Sequence, residues 1–269
     1  MAVIALQSAA SGLNSLNTKL DVIANNLANV ETVGFKSSRT NFQDQLYIER
    51  AQPGVENANG DQRPTGLYVG LGVKTSGTHQ DFSQGAPLTT NRELDLTIDG
   101  IGFFAVQVET ELASGGQAYT RTGSFALNAD GELVLANDQG RRLDPPVTVP
   151  ADTTKIDIDQ NGRVFATTAG ALQPQEVGQL QIAAFVNPAG LKQVGENLFV
   201  ESAASGPPSI GNPGEDQRGR IRQGQLEGSN VDPTTELIEL IRTQRAFEMN
   251  SQTIRAADEA LQTVGQLRR

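Results

Sequence analysis

Apolar residues recur every seven positions near both ends of the chain. A seven-residue apolar repeat is typical of a helix that packs along its length against another helix. The first stripe, with the residues that widen it, comprises Leu6, Leu13, Leu16, Leu20, Ile23 and Leu27. The second comprises Leu237, Leu240, Phe247, Ile254, Leu261 and Val264. The pattern predicts two terminal helices that pack on further helices; two ordinary amphipathic core helices are the alternative interpretation.

Local signals place the ends of these helices. The first is predicted to run from about Ile4 to about Val30, with Gly34 as the stop, because glycine tolerates a left-handed backbone. The last is predicted to begin at Asp232 and Pro233, since Asp is a favourable N-cap and Pro suits the first helical position. A lone helix pair that projects from another domain buries little surface. We therefore expect both ends of an isolated subunit to be mobile until other copies surround them.

Three asparagines, Asn25, Asn26 and Asn29, lie close together near the end of the first predicted helix. Their amides compete for backbone hydrogen bonds, which makes them poor residues for a helix interior. We expect these amides to tie the helix end to nearby backbone rather than to bind a ligand. A fraying helix end is the alternative.

The segment that follows, residues 35–71, has no clear apolar period. It carries turn signals at 53–54, 59–61 and 64–66, where proline, glycine, asparagine and aspartate cluster. A structureless segment of this length is unusual in a compact domain and is often functional. We interpret it as an extended arm that packs on a neighbouring molecule.

Residues 72–228 contain short apolar or alternating segments separated by glycine-rich turns, which predict an antiparallel sheet or a barrel-like body. The predicted strand segments are 94–98, 103–108, 125–127, 133–135, 156–158, 164–166 and 180–186. A second exposed loop is predicted at 205–219.

The predicted fold class is α+β. It combines a discontinuous, coiled-coil-like helical domain from residues 1–34 and 229–269 with the arm at 35–71 and a central antiparallel β-rich domain at 72–228.

The composition of the chain excludes several classes of function. The 269 residues carry a net charge of −10 and no block of like charges, which argues against nucleic-acid binding because that requires a basic stripe. With no Cys and one His, the chain lacks thiol catalysis, disulfides and cysteine-based zinc sites. His79 has no nucleophile motif near it and is predicted to lie on a surface strand or turn. We predict no catalytic residue, no metal and no cofactor.

Two short motifs imitate binding sites. GIGFFA at 100–105 fits the loose dinucleotide pattern, but that pattern needs a helix next and a strand-like sequence follows. DIDQNG at 157–162 copies the first half of a calcium loop, but Thr168 replaces the bidentate glutamate at its twelfth position. A plain hairpin is the preferred interpretation there.

The N-terminal residues lack a basic leader and a cleavage site, and no apolar run approaches the ~20 residues of a membrane span. We therefore expect no membrane insertion, and export, if it occurs, by a route that leaves the first helix in place.

Five separated motifs resemble those of bacterial flagellar rod and hook proteins. They are ANNLANV at 24–30 with GFK at 34–36, DGIGFF at 99–104, YTRTGSF at 119–125 with DG at 130–131, GENLF at 195–199, and LEGSNVD at 226–232 continuing to RAFE at 245–248. The motif residues taken as candidates are Asn25, Asn26, Leu27, Ala28, Asn29, Gly34, Phe35, Gly100, Gly102, Phe103 and Phe104.

The resemblance covers nearly the whole chain, and the length and residues 47–72 resemble the distal rod members most. Proximal rod paralogues and hook-type axial subunits are the alternatives. The resemblance implies a structural subunit of a hollow helical homopolymer that transmits torque across the periplasm, with the terminal helices around an export channel and the β body outside. It also implies other rod and hook subunits, outer-envelope ring proteins and the flagellar type III export apparatus as partners.

Overall fold

A computed structural model describes residues 2–55, 62–112, 115–170 and 173–267. The chain divides into two compact units. The first unit consists of the described residues of Met1–Ala28, Ser38–Gln80 and Asp232–Arg269, and the second consists of those of Asn29–Ser37 and Asp81–Val231. Long helices near both termini and antiparallel strands between them confirm the α+β class.

Helix α1 spans Ala2–Ala28 and helix α2 spans Pro233–Leu267. The N-cap prediction for Asp232 is confirmed: its carboxylate accepts hydrogen bonds from Thr234 N at 3.0 Å and Thr235 Oγ1 at 2.6 Å. These bonds, the Thr235 bond first, lower the pKa of Asp232. Helix α1 ends two residues before the predicted Val30, and Gly34 lies beyond its end instead of capping it.

The two helices pack on each other through a mixed line of small, polar and apolar residues. Lys19 Nζ contacts Glu239 Oε2 at 2.7 Å, and a Cβ placed on Gly12 would lie 3.3 Å from Asn250 Nδ2. The deeply buried side chains of the pair are Ala9, Ser15, Ile23, Asn26 and Thr243. The line is therefore more polar than an apolar coiled-coil seam.

The remainder of the first unit is an antiparallel ribbon made of two successive strand pairs. Its strands are β1 (Ser38–Asp44), β2 (Tyr47–Ala51), β3 (Leu67–Gly70) and β4 (Val73–Gln80), and β1 pairs with β4 and β2 with β3. The segment without an apolar period thus forms strands, because both faces of much of the ribbon are exposed and no alternation is needed. Residues 73–80, assigned from sequence to the β body, pair along β1. The turn predicted at 59–61 lies outside the described residues.

The second unit is built from short strands. They are β5 (Pro87–Thr89), β6 (Leu96–Asp99), β7 (Phe103–Gln107), β8 (Gln117–Thr120), β9 (Phe125–Leu127), β10 (Leu133–Leu135), β11 (Thr153–Ile158), β12 (Arg163–Thr168), β13 (Gln175–Gln179), β14 (Ile182–Ala184), β15 (Lys192–Gly195), β16 (Leu198–Val200), β17 (Ser209–Gly211), β18 (Arg220–Gln223) and β19 (Gln225–Glu227). The main sheet has the order β15-β16-β8-β7-β14-β17, and its neighbours are antiparallel.

Two apolar clusters pack on opposite sides of β7. Phe104 and Val106 belong to the larger cluster, whereas Phe103 and Ala105 belong to a smaller one rich in aromatic residues. This division follows from the two-residue period of a strand. The smaller cluster contains edge-to-face rings, such as Phe103 and Phe199 with centroids 5.9 Å apart.

Most strand predictions in this unit are confirmed, and three details differ. The strand at Leu96 and Ile98 is buried on both faces, because Asp95 and Thr97 are buried as well. The predicted strand at 180–186 is limited to β14, and Val186 beyond it is 96% exposed. The predicted loop at 205–219 contains β17, which pairs with β14.

The interpretations of the imitating motifs are confirmed. Strand β7 follows Gly102, so the glycine motif opens a strand and not a helix. Strands β11 and β12 pair as an antiparallel hairpin around the calcium-like sequence. His79 is exposed on β4 opposite Arg39, as predicted for a surface strand residue.

Candidate functional site

The motif residues of the second unit converge on a buried carboxylate, that of Glu227, which is 1% exposed. Its Oε1 accepts hydrogen bonds from Lys36 Nζ at 2.5 Å and from the Gly85 amide at 3.0 Å. Its Oε2 accepts one from Arg121 Nη1 at 3.2 Å. We call Lys36, Arg121 and Glu227 the Glu227 cluster. It joins three motifs that are far apart in sequence.

Arg121 connects the cluster to a fourth motif. Its Nη2 donates to Gly100 O at 2.7 Å and its Nη1 to Ile98 O at 3.3 Å. Its guanidinium carbon lies 5.3 Å from the centroid of the Phe103 ring, within cation–π distance. The planar guanidinium therefore bonds two carbonyls and a carboxylate and packs on an aromatic face.

The cluster holds two cations and one anion away from water. Burial lowers the pKa of Lys36 and that of Arg121, and the Glu227 carboxylate opposes this effect in both. Lys36 Nζ also donates to Ser83 O at 2.6 Å. Removing Glu227 from such a cluster would leave two buried cations uncompensated, which is strongly unfavourable.

The segment 29–37 is bonded to the rest of the second unit at several points. Gly34 N donates to Glu227 O at 2.8 Å, and Asn197 Nδ2 donates to Val33 O at 3.0 Å. Thr122 Oγ1 also donates to Val33 O, at 3.3 Å. Motif residues from three regions thus hold one short segment.

Gly34 and Phe35 occupy this segment. Gly34 has a φ of +72°, and a Cβ there would lie 2.8 Å from Thr122 N, so any other residue would be both strained and crowded. Phe35 is half-buried, and its carbonyl accepts a hydrogen bond from Asn230 N at 3.4 Å. The glycine predicted as a helix stop instead permits a close approach of two backbones.

The residues of the DGIGFF motif at 99–104 contribute to the core of the second unit or lie beside it. Phe103 and Phe104 are both buried, on opposite sides of β7. Gly102 permits β14 to approach, since a Cβ there would lie 2.0 Å from Ile182 Cγ2. Gly100 offers its carbonyl to Arg121 and its amide to Gln84 Oε1 at 3.1 Å.

In the first unit, Asn26 is 2% exposed and uses both ends of its amide. Its Nδ2 donates to Ser38 O and to Glu236 Oε1, both at 2.9 Å, and its Oδ1 accepts from Ser38 N at 3.0 Å. Asn25 and Ala28 are exposed on α1, and Leu27 is half-buried.

Asn29 belongs to the second unit. Its Oδ1 accepts a hydrogen bond from Thr32 Oγ1 at 3.1 Å, and its carbonyl accepts one from Thr32 N at 3.2 Å.

The predicted stripes are only partly covered. On α1, Ile23 is buried, whereas the others are half-buried: Leu6, Leu13, Leu16, Leu20 and Leu27. On α2, the half-buried members are Leu240, Phe247 and Ile254, and the exposed ones are Leu237 and Leu261. The side chain of Val264 lies outside the described set.

A second apolar face of α2 was not predicted from the sequence, although one of its members, Leu237, belongs to the predicted stripe. Its members, the exposed α2 face, are Leu237, Ile238, Ile241 and Met249. With 3.6 residues per turn, Ile238, Ile241 and Met249 lie on the side of α2 opposite Thr243 and Phe247, which face inward, and Leu237 lies at the edge of that side. Leu237 is 46% and Ile241 51% exposed.

Two features of the described residues bear on chemistry, namely their capacity to hold a metal ion and a cleft beside Thr32. Among them, no group of three or more His, Cys, Asp or Glu side chains could hold a metal ion. A cleft of about 490 Å³ beside Thr32 is lined by polar residues that include Asp138 and Glu196. Glu196 in this cleft pairs with Arg141 at 3.1 Å. No helix in the described part of the chain is long and apolar enough to cross a membrane.

Lys36, Arg121 and Glu227 lie within the motifs of the family resemblance, but no local pattern distinguishes them from other charged residues. Lys36 and Arg121 are separated by more than eighty positions, and Glu227 lies a further hundred away. The available signal was a charged residue beside apolar and glycine neighbours in each motif. That signal cannot say which charges pair.

Comparison with known proteins identifies the family. The flagellar basal-body rod protein FlgG of Caulobacter vibrioides is 44% identical over 266 residues, which cover 98% of this chain and 99% of the relative. The chain belongs to the flagellar basal-body rod protein family. Family models match in three places: flagella basal body rod protein at 6–36, flagellar hook protein FlgE/F/G D1 domain at 97–166, and flagellar basal body rod FlgEFG protein C-terminal at 222–267.

Two proteins of one bacterium allow the identity of this chain to different flagellar proteins to be compared. FlgG of Bacillus subtilis is 38% identical over 268 residues, covering 98% of both chains. The flagellar hook-basal body complex protein FlhP of the same bacterium is 31% identical over 273 residues, covering 97% of this chain and 98% of the relative. The protein is a structural subunit of the flagellar rod, and it is more similar to FlgG than to FlhP in that bacterium.

Proposed function

We propose that this rod subunit polymerises helically with copies of itself into the distal part of a hollow drive shaft. In this proposal the terminal helices line an inner tube around an export channel, and the β-rich unit forms the outer wall. The higher identity to FlgG than to FlhP within one bacterium supports the distal rod over a paralogous axial position. A proximal rod or hook-type subunit is the alternative.

The observation that carries the proposal is the exposed α2 face. Leu237, Ile238 and Ile241 form a contiguous apolar surface within little more than one helical turn. Single exposed apolar residues are common on protein surfaces, but contiguous patches mark interaction sites. Met249 extends the face by two further turns, as expected for a surface that packs lengthwise on another helix.

A second copy is the partner that fits this face. Membership of the rod protein family implies assembly into the flagellar rod with other axial subunits, and a second copy of the chain supplies matching apolar helix edges. Helices α1 and α2 also carry half-buried stripes whose outer edges are available to further helices. Packing of these edges on neighbouring copies would cover the Leu and Ile side chains and order both helices, as proposed for the terminal domain.

The ribbon of the first unit offers a further surface. Leu46 is 82% exposed at the junction of β1 and β2, and Tyr47, Leu67 and Tyr68 are more than half exposed on β2 and β3. A two-stranded ribbon alone is marginally stable in water, so a neighbouring molecule that covers these side chains would stabilise it. We propose that the arm, residues 35–71, packs on neighbouring subunits.

The role is structural rather than catalytic. The cleft beside Thr32 places carboxylates near amides, without a nucleophile paired to a base among its lining residues. The proposed partners beyond rod and hook subunits are outer-envelope ring proteins and the type III export apparatus. They follow from the family resemblance.

Replacement of Ile241 by Asp tests the assembly surface. Because Ile241 is 51% exposed, the substitution should leave the subunit folded. In the polymer it would bury an unpaired carboxylate, which is strongly unfavourable. We expect Ile241→Asp to abolish polymerisation, measured by sedimentation and electron microscopy, and to abolish motility in a strain that lacks the native subunit.

Ile241→Val is the matched control, because it keeps an apolar side chain at the same position and should still polymerise. Normal polymers from Ile241→Asp would exclude the exposed α2 face as an interface. A helical reconstruction of the wild-type polymer would show directly which face of α2 is covered.

A further inference from the structure

Three of the four chain crossings of the second unit are joined by hydrogen bonds. The chain crosses between the units after Ala28, Ser37, Gln80 and Val231. Asn230 bonds two of these crossings: its Oδ1 accepts from Ser37 N at 2.7 Å and its Nδ2 donates to Asp81 O at 2.8 Å. Asp81 N also donates directly to Ser37 O at 2.9 Å. Three exits are therefore held within hydrogen-bond reach of one side chain or its neighbour.

The Glu227 cluster joins the same three segments through a second set of bonds. Lys36, next to Ser37, bonds both Glu227 Oε1 and Ser83 O. Gly85 N donates to the same Oε1. Glu227 itself lies three residues before Asn230 and accepts Gly34 N on its backbone carbonyl at 2.8 Å. Segments 34–37, 81–85 and 227–230 are thus joined twice, once by an amide and once by buried charges.

We propose that Asn230 and the Glu227 cluster form a clasp that keeps these exits together when the subunit bears load. The inference rests on the proposed function as a torque-transmitting subunit. Force that passes along the chain into the second unit enters through its four crossings, and three of these belong to the joined segments. Hydrogen bonds that join the exits in parallel share that force, whereas without them each segment would be pulled away separately.

The charge composition of the clasp distinguishes it from ordinary packing. An apolar cluster of similar volume would stabilise the fold as well or better, but it would make no directional hydrogen bonds to the groups it joins. Here each charged group bonds a specific carbonyl, amide or carboxylate in another segment. The cluster therefore specifies position, and its removal should affect local opening and mechanical performance more than secondary structure.

The two-to-one ratio of cations to anion predicts an order of effects. Lys36→Met leaves Arg121 paired with Glu227 and should be the mildest change. Glu227→Gln leaves two buried cations without a carboxylate and should be the most severe. Asn230→Ala removes the side-chain hydrogen bonds to Ser37 and Asp81 without changing any charge. Asp157→Asn, in the exposed pair with Lys155, is the matched control for loss of one carboxylate.

Hydrogen exchange on the full-length soluble subunit tests local opening. We expect Asn230→Ala to speed exchange at Ser37 N and Glu227→Gln at Gly85 and Gly34 N, each by at least about tenfold, because these amides lose their acceptor or its support. Amides of β7 and β12 should keep wild-type rates. If Glu227→Gln unfolds the whole unit, the exchange rates of Asn230→Ala and Lys36→Met provide the test of the clasp. Unchanged exchange at all three amides in every variant would overturn the proposal.

Motility under load tests mechanical function. Variants that assemble normal numbers of flagella should swim at near wild-type speed in dilute medium but lose at least about half of their relative speed in a viscous polymer solution. Asp157→Asn should match wild type in both. Equal performance of Asn230→Ala, Lys36→Met and wild type under high load would overturn the clasp. Failure of the wild-type chain to polymerise would instead overturn the proposed function.

Discussion

Replacement of Asn26 by Ala should destabilise the first unit much more than the same change at the exposed Asn14 on α1. The substitution removes three hydrogen bonds: two with the backbone of Ser38 and one with Glu236. The Ser38 groups are partly buried, and each unsatisfied group costs about 1–3 kcal/mol. Allowing for partial access of water, we expect the free energy of unfolding to fall by about 2–4 kcal/mol.

Urea unfolding followed by far-ultraviolet circular dichroism measures this loss, because α1 and α2 supply most of the helical signal. Exchange of the Ser38 amide gives a local measurement that does not assume a two-state transition in a chain of two units. Asn14→Ala is the control, since Asn14 is exposed on the same helix and alanine is a better helix former.

Asn26→Asp sharpens the test. It keeps an oxygen for Ser38 N but loses the donor to Ser38 O and places a carboxylate beside Glu236, so it should be at least as destabilising as the alanine change. A loss below about 0.5 kcal/mol for Asn26→Ala, equal to that of Asn14→Ala, would refute the reasoning that these bonds hold the helix end.

Three further predictions follow from other groups. Gly34→Ala should cost about 2–4 kcal/mol, since its Cβ would lie 2.8 Å from Thr122 N, whereas Gly54→Ala, with a similar φ of +79° and open space, should cost about 1 kcal/mol by thermal unfolding. Burial raises the pKa of Glu236 above 4.5, so the folded state retains its proton to higher pH and stability falls as pH rises above 4.5; Glu236→Gln should flatten that fall in a pH series of urea unfolding curves. The first unit has 10 basic and 11 acidic residues, a net charge of −1, and the second has 11 and 20, a net charge of −9. Second units that lie next to each other in the proposed polymer would therefore repel one another. Polymerisation measured by light scattering should increase from about 0.02 to about 0.2 M NaCl, whereas equal extents at both salt concentrations would contradict this.

The sequence predicted those elements that depend on local signals. The cap at Asp232, the hairpin between β9 and β10, and the strand after Gly102 each rest on residues within a few positions of one another. The terminal helices followed from a seven-residue period that spans several turns. In each case a short stretch of chain determined its own conformation.

The ribbon and the shortened strand show where local signals fail. Strands β2 and β3 are largely exposed on both faces, so their sequence carries no alternation. Conversely, Val186 continues the apolar alternation of β14 but is 96% exposed, because pairing with β17 ends at Ala184. Whether a periodic residue is covered depends on a partner strand elsewhere in the chain, which a local pattern cannot reveal.

The candidate site illustrates the same limit more strongly. Lys36, Arg121 and Glu227 are single charges in three distant motifs, and only the fold brings them within hydrogen-bond distance. A search for catalytic or metal-binding constellations passes over them, because no two lie close in sequence. They are buried, and Glu227 also accepts hydrogen bonds from the Gly34 and Gly85 amides. The cluster is therefore the place where residues of several family motifs meet in the fold.

This convergence explains why the motifs of this rod protein are informative although the described residues show no metal-binding group. An enzyme family is recognised by residues around a substrate, whereas here the recognisable residues surround a junction of backbone segments. Gly34 and Gly102 permit close approaches that a Cβ would prevent, and Glu227 bonds groups that no shorter or neutral side chain would satisfy in the same way. These requirements belong to the shape of one subunit. In the proposed polymer they would have to be met in every copy, because each copy would carry the load passed on by its neighbours.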